Sequence, residues 1–268
     1  MQTYAFLDLD DTIFQTRGKC PAEEASSLVA AALDREGQPL SFMSSRQRQL
    51  FEWLSASTIV IPVTARSWGA FRRVTLPFRH AAILDFGGVV LLPDGQLDEQ
   101  WDQQMRPALL PLGEELARIQ AAWQADSDAR SLGVRVRVIS DFDLPLYVVA
   151  KHTDGNMAAL NEVLKGDSSL MSDERFFIHF NDNNLSVVPR CLGKQRAVEY
   201  VLNRYAGSEP VLTLGLGDSF SDLPFLAMCD FAMLPRNSQS LRAVLTRDWT
   251  SDWVPAPSLI NEEPPHNV

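Results

Sequence analysis

Cysteine is scarce in this chain: Cys20, Cys191 and Cys229 are the only three among 268 residues. They lie far apart, without CxxC or Cys/His spacing, which excludes a disulfide framework and a structural zinc site. Positive charge is also in deficit, with 24 Lys plus Arg against 34 Asp plus Glu and a formal net charge of -10. Broad binding to nucleic acid needs a basic surface and is excluded on that ground; the short group Arg72, Arg73, Arg79 and His80 reads as a solvated face. No apolar run approaches the roughly 20 residues of a membrane span. The opening "MQTYAFLDLDD" has neither the basic region nor the apolar core of a secretory leader. Internal repeats and low-complexity tracts are absent as well. The expectation is a cytoplasmic protein without nucleic-acid or membrane partners.

What remains is an ordinary globular balance, 46% hydrophobic and 22% charged, long enough for one large domain or two modest ones. Short apolar runs alternate with amphipathic stretches. "YAFLDL" (4 to 9), "TIVIPVT" (58 to 64), "AAILDFG" (81 to 87), "PVLTLGLG" (210 to 217) and "FAMLP" (231 to 235) read as strands buried on both faces, the mark of a parallel sheet. "SSRQRQLFEWL" reads as a helix capped by Ser44 or Ser45, with Leu50, Trp53 and Leu54 as its apolar stripe. "LGKQRAVEYVLNRYAG" reads as another, with Ala197, Val198, Val201 and Leu202 on one face and Gly207 as its stop. In between, the order changes to a long helical stretch (97 to 127), the runs "VRVRVIS" and "LYVVAKH", a shorter helix (155 to 165), and the pair "RFFIHF" and "LSVVP". That order predicts an α+β module with an antiparallel sheet, inserted at about 88 to 189. Residues 21 to 43 read as a hairpin turning at Glu36-Gly37, with a helix as the alternative, and the Pro-rich end "WVPAPSLINEEPPHNV" reads as a tail.

Four pieces carry chemistry. In "FLDLDDT", Phe6, Asp8 and Asp10 fall on one side of a strand and its extension. Strand carboxyl ends are where open α/β sheets bind ligands. Crowded carboxylates there require a cation or strong donors, unless they form a surface turn. An EF-hand is excluded because its glycine and terminal Glu are missing. "LGLGDSFSDLPFL" repeats the pattern with Asp218 and Asp222, followed by a helix capped by Ser219 or Ser221. Oxygen ligands from two strand ends suit Mg2+. The dinucleotide reading of Gly215-x-Gly217 fails because Phe220 stands in the third glycine position. Thr64 and the residue after it, Ala65, lie where a strand gives way to "TARSWGAF", a place for an anion on a hydroxyl and free N–H groups. Lys194 in "CLGKQRA" brings a cation, but no Walker A loop, since Val188 and Gln195 occupy its diagnostic positions. Taken singly, the last two read more readily as a helix cap and a solvated lysine.

In chain order these pieces read Asp-x-Asp-x-Thr, Thr, Lys and Gly-Asp-x-x-x-Asp. The set resembles the haloacid dehalogenase superfamily of aspartate-dependent phosphotransferases over residues 1 to 87 and 190 to about 245. The resemblance implies a Rossmann-like parallel-sheet α/β core (1–87 and 190–268) with an inserted α+β cap of the C2 type (88–189). It implies Asp8 as nucleophile, Asp10 as general acid and base with a pKa above that of Asp8, and Mg2+ held by Asp8, the Asp10 carbonyl and Asp218. Asp222 would act through water or by orienting its neighbours, and Thr64, Ala65 and Lys194 would bind phosphate. "ILDFGGVVLLPDG" resembles the entry to such a cap, and the nearest relatives in style are Cof-type sugar phosphatases, sucrose-phosphate phosphatase and mannosyl-3-phosphoglycerate phosphatase. Asp11, Ala65 and Ser221 depart from that branch, where Gly, Gly and Asn are usual, and 17 to 43 is long enough to cover the site as a flap. The implied activity is a Mg2+-dependent phosphomonoester hydrolase acting on a small phosphorylated metabolite such as a sugar phosphate. A phosphomutase and a non-catalytic phosphate-binding module remain open. "HFNDNN" (179 to 184), Lys151 and His152 offer sugar contacts, or else a polar hairpin turn, and His179 reads as a structural histidine.

Overall fold

The computed structural model describes residues 1–181, 184–207 and 209–245. Its centre is a four-stranded parallel sheet of β1 (Thr3–Leu7), β5 (Ile59–Pro62), β12 (Leu212–Leu216) and β13 (Phe231–Met233), in the order β13-β12-β1-β5. β1 is in the interior, paired with β12 on one side and β5 on the other. Four of its five residues are buried, which is why its sequence is continuously apolar rather than alternating. One face packs on α6 (Lys194–Tyr205), through Ala197, Val198 and Val201. The other packs on α1 (Ser45–Ser57) and on a small sheet of β2 (Gln15–Thr16), β4 (Pro39–Met43) and β3 (Val29–Leu33). The hairpin in 21–43 is therefore present, with Gly37 at φ 80 in its turn, where a residue without Cβ avoids strain. α1 begins with a capping box between Ser44 and Gln47.

Between the two halves of the parallel sheet, the chain crosses from β6 (Ala82–Leu84) to β7 (Val89–Leu91) through a tight turn. Asp85, Phe86 and Gly87 all have positive φ there. Gly87 has no substitute, since a Cβ would lie 2.5 Å from the Gly193 carbonyl oxygen. Beyond the turn come α3 (Glu99–Leu109), α4 (Gly113–Ala129), α5 (Met157–Gly166) and an antiparallel sheet in the order β10-β11-β9-β8. Its strands are β8 (Val134–Asp141), β9 (Leu144–His152), β10 (Phe176–Asn181) and β11 (Asn184–Pro189). Leu116, Ile119 and Trp123 of α4 and Leu160 and Val163 of α5 bury one face of this sheet, against Val134, Val136, Val148 and Val187. Each such side chain contributes about 1.5–3 kcal/mol by leaving water.

Four details differ from the sequence expectation. The stretch 97 to 127 is two helices, because Pro111 lacks the N–H needed to continue and a 3-10 turn at Leu110–Leu112 intervenes. Phe51 and Leu54 carry the buried face of α1, whereas Trp53 is 56% exposed. "FAMLP" is an edge strand with Phe231 exposed, not a strand buried on both faces. "AAILDFG" joins the parallel sheet only by the bridge Val63↔Ile83 and pairs antiparallel with β7. The tail at 253–268, and Asp182 and Asn183 of the polar turn, lie outside the described residues.

Candidate active site

The carboxyl ends of β1, β5 and β12 bring the motifs together. β1 ends at Leu7, and the backbone N–H of Asp8 donates to the Leu216 carbonyl at 2.8 Å, so the loop after β1 lies against the loop after β12. Carboxylate oxygens of Asp8, Asp218 and Asp222 all lie within 4.8 Å of one another, and all three residues are buried. Lys194, at the start of α6, sits between two of them. Its ammonium donates to Asp8 Oδ1 at 2.6 Å and to Asp222 Oδ1 at 2.5 Å, with its side chain only 2% exposed. Thr12 closes the other side, its hydroxyl 3.3 Å from Asp8 Oδ2 and 3.5 Å from Asp218 Oδ1.

Asp222 holds the arrangement. Besides Lys194 on Oδ1, its Oδ2 accepts from the Asp218 N–H, the Ser219 N–H and the Ser219 hydroxyl at 3.1, 2.8 and 2.8 Å. Its Oδ2 is therefore fully taken, while Oδ1 accepts only from Lys194. Asp222 orients its neighbours, and with Asp8 and Asp218 it makes up the group of oxygens that could hold a metal. Gly217 makes this possible, since a Cβ there would meet the Asp222 Cβ at 2.5 Å. The helix after Asp222, α7 (Leu223–Leu226), is a single turn without a side-chain cap, so the expected capping role of Ser219 or Ser221 is corrected: Ser219 spends its hydroxyl on Asp222 and Ser221.

The electrostatics follow from burial. It drives the pKa of Asp8 well above the carboxylate range, against the pull of Lys194 and with the push of Asp222 and Asp218. Burial, then repulsion from Asp222 and Asp11, raises Asp218 to about 7. Burial acts to lower Lys194, but Asp222 and Asp8 outweigh it and hold the ammonium charged. Three buried carboxylates against one ammonium leave negative charge in a water-poor place, and an oxygen-coordinating dication fits that donor set.

Asp10 stands apart from this cluster. Arg66 grips both its oxygens, with Nε at 2.6 Å and Nη2 at 2.7 Å, and the Asp10 side chain is 47% exposed at the cleft. Thr64 is buried one strand over, beyond β5, and its hydroxyl accepts from the Arg66 N–H at 3.1 Å. Ala65 is fixed by its carbonyl, which accepts from Tyr147 of β9 at 2.8 Å, so the antiparallel sheet is tied to this loop. α2 (Trp68–Phe71) follows, capped by Ser67. His179 of β10 packs edge-on against Phe86 with ring centroids 5.1 Å apart. Burial and the nearby Lys194 lower its pKa to about 4, so it is a neutral, packed histidine. Arg66 and Tyr147 were missed as contacts of the site, and Thr12, the last residue of Asp-x-Asp-x-Thr, was given no role of its own. Arg66 had a signal, as a lone cation two residues past a strand end; Tyr147 had none.

No known family model matches this sequence, and no curated protein matches it either. Solved structures match it in fold. The sucrose-phosphatase of Synechocystis sp. PCC6803, determined with sucrose and phosphate, superposes with a TM-score of 0.50 at 16% identity, covering 94% of this chain and 88% of that one. The C-terminal domain of C. albicans trehalose-6-phosphate phosphatase gives 0.54 at 14% identity, over 96% and 79%. Thermoplasma acidophilum 0175 gives 0.52 at 14%, over 91% and 89%. The chain shares the fold of these structures, a parallel α/β core with an inserted α+β module. Among the described residues, no helix is long and apolar enough to cross a membrane.

Proposed function

We propose that this protein is a Mg2+-dependent phosphomonoester hydrolase, cytoplasmic, acting on a small phosphorylated metabolite, a sugar phosphate by preference. Residues 1–87 and the described part of 190–245 form its core and 88–189 its cap. The observation that carries the reading is the buried Asp8–Lys194–Asp222–Asp218 constellation at the strand ends. The names of the structural neighbours support the substrate class, and three free cysteines support the compartment.

In this reading Asp8 attacks phosphorus, the ester P–O bond breaks, and the leaving alkoxide takes a proton from Asp10. Water then attacks the aspartyl-phosphate, Asp10 takes the water's proton, the bond to Asp8 breaks and inorganic phosphate leaves. Arg66 holds Asp10 at the open side of the cleft, where leaving group and water enter, and must release one of its oxygens for Asp10 to carry the proton it donates. Lys194 pulls the Asp8 pKa down against its burial without overcoming it, and binds a non-transferred phosphate oxygen, with Thr64 and the Ala65 backbone as its partners. Asp8, Asp218 and the Asp10 carbonyl would hold Mg2+, which when bound supplies charge neutralisation between carboxylate and phosphate. A phosphomutase would use the same floor, but no separate observation favours it.

The test is phosphate release from a panel of phosphorylated metabolites. Activity that EDTA abolishes, and that Asp8→Asn lowers by about four orders of magnitude or more, is expected. Wild-type turnover equalled by the variant, or no turnover of any ester, would sink the reading.

A further inference from the structure

The face of the antiparallel sheet turned away from α4 and α5 has a charge pattern of its own. The register Ile139↔Tyr147, Arg137↔Val149 and Arg135↔Lys151 puts these six side chains on one face, because opposed residues point the same way and alternate residues share a side. Tyr147 locates that face over the site through its bond to the Ala65 carbonyl, and the Trp68 N–H does so again through Asp141 Oδ2 at 2.6 Å. Lys151 lies four residues further along β9, about 13 Å from Tyr147. Its ammonium senses Asp10 and Arg66 across the cleft; burial first, then Arg137, lowers its pKa. Arg137 is lowered by burial and by repulsion from Arg35, in the β3–β4 turn, and from Arg135.

Four cations from three segments therefore gather on the cap side of the cleft, Arg137 half-buried and the other three exposed, with Lys151 facing Asp10. Among the described residues, none of the four has a carboxylate in ion-pair distance. Asp10, the carboxylate that Lys151 senses, is already gripped through both oxygens by Arg66. In a chain of net charge -10 such a gathering is not a consequence of composition. Like charges without counter-ions repel, and an anion among them removes that cost. The transferred phosphoryl group cannot be that anion, since its place is on the floor beside Asp8 and Lys194.

We propose that the leaving group of the substrate carries a second anionic group, a carboxylate or a second phosphate, which Lys151 and Arg137 receive, with Arg135 and Arg35 at the rim. This assignment rests on the phosphohydrolase reading and narrows its substrate class from neutral sugar phosphates to acidic ones.

The test is calorimetric binding to the Asp8→Asn protein with Mg2+, which holds esters without consuming them. The probes are matched pairs: glucose 6-phosphate with 6-phosphogluconate, and fructose 6-phosphate with fructose 1,6-bisphosphate. The acidic member of at least one pair binds about tenfold or more tighter than its partner, as for a new charge-assisted contact. The first pair reports a carboxylate, the second a phosphate. Combined Lys151→Gln and Arg137→Gln substitution brings that ratio toward one. Equal binding within both pairs, or a ratio that the substitutions leave unchanged, overturns the assignment. Phosphate release by the wild type on the same esters separates the two claims. Turnover without acidic preference removes the second-anion site alone, and acidic preference in binding without turnover removes the hydrolase reading alone.

Discussion

The floor and the roof of the cleft treat charge in opposite ways. On the floor, three carboxylates and one ammonium are buried: Lys194 bridges Asp8 and Asp222, N–H and O–H donors fill Asp222 Oδ2, and the Thr12 hydroxyl lies 3.5 Å from Asp218. On the roof, Arg135, Arg137 and Lys151 share a sheet face with no ion pair among the described residues. The floor is preorganised by its own hydrogen bonds. The roof holds charge in reserve, where water tolerates it until a ligand arrives. Buried charge must be compensated by the fold, and half-exposed charge need not be.

Breaking the floor should cost most. Lys194→Met leaves Asp8 and Asp222 buried without their cation, a loss of about 3–5 kcal/mol in urea unfolding. Adding Mg2+ should recover part of it, because the dication supplies the missing positive charge. A loss below about 1 kcal/mol would mean that the floor charges are not coupled as described.

The junction between floor and roof gives the next effect. Asp85 is fully buried in the left-handed turn, and neither of its oxygens receives a hydrogen bond. Burial, and then Asp141 beside it, raises its pKa well above the carboxylate range. As a neutral acid it can donate to Asp141; as a carboxylate it is unsatisfied. Its folded pKa lies above its unfolded value near about 4. The stability linked to its proton is therefore fully present below pH 4 and is lost as pH rises through the folded pKa, at about 1.4 kcal/mol per pH unit in between. Asp85→Asn should raise the melting temperature at pH 8, with a gain that shrinks toward pH 4. A gain independent of pH would remove the proton from the explanation.

The smallest effect sharpens the contrast. Arg135→Gln, on the roof, should change unfolding free energy by less than about 0.5 kcal/mol, because it breaks no pair and relieves repulsion on Arg137. A loss comparable to that of Lys194→Met would erase the distinction between the two regions.

The floor was legible in the sequence because most of its groups stand just past strand ends, and a short apolar run announces that position. Asp8 follows β1 directly, Thr64 and Asp218 lie shortly past the ends of β5 at Pro62 and β12 at Leu216, and Lys194 opens α6. The hairpin over 29–43 was legible from Gly37 and Pro39. Partnership was not legible. That Asp10 faces Arg66, that Thr12 joins Asp8 to Asp218 and that Tyr147 reaches Ala65 depend on distances between segments up to 206 residues apart. The roof was hidden for a related reason. Lys151 was read as offering a sugar contact, but Arg135 and Arg137 look like ordinary polar positions of an alternating strand until the register of β8 on β9 and the tie at Tyr147 show which way they face. Periodicity also misled where solvent decides, as at Trp53 and Phe231, since apolar type does not reveal which side of an element is covered.

The most direct measurement of the central claim is an acid-quenched single turnover with a hydrolysable phosphate ester and Mg2+, followed by peptide mass spectrometry. The account predicts one phosphoryl group on Asp8, appearing before free phosphate and absent from the Asp8→Asn protein. Phosphate released at the same rate with no phosphoryl group on Asp8 at any time would contradict it.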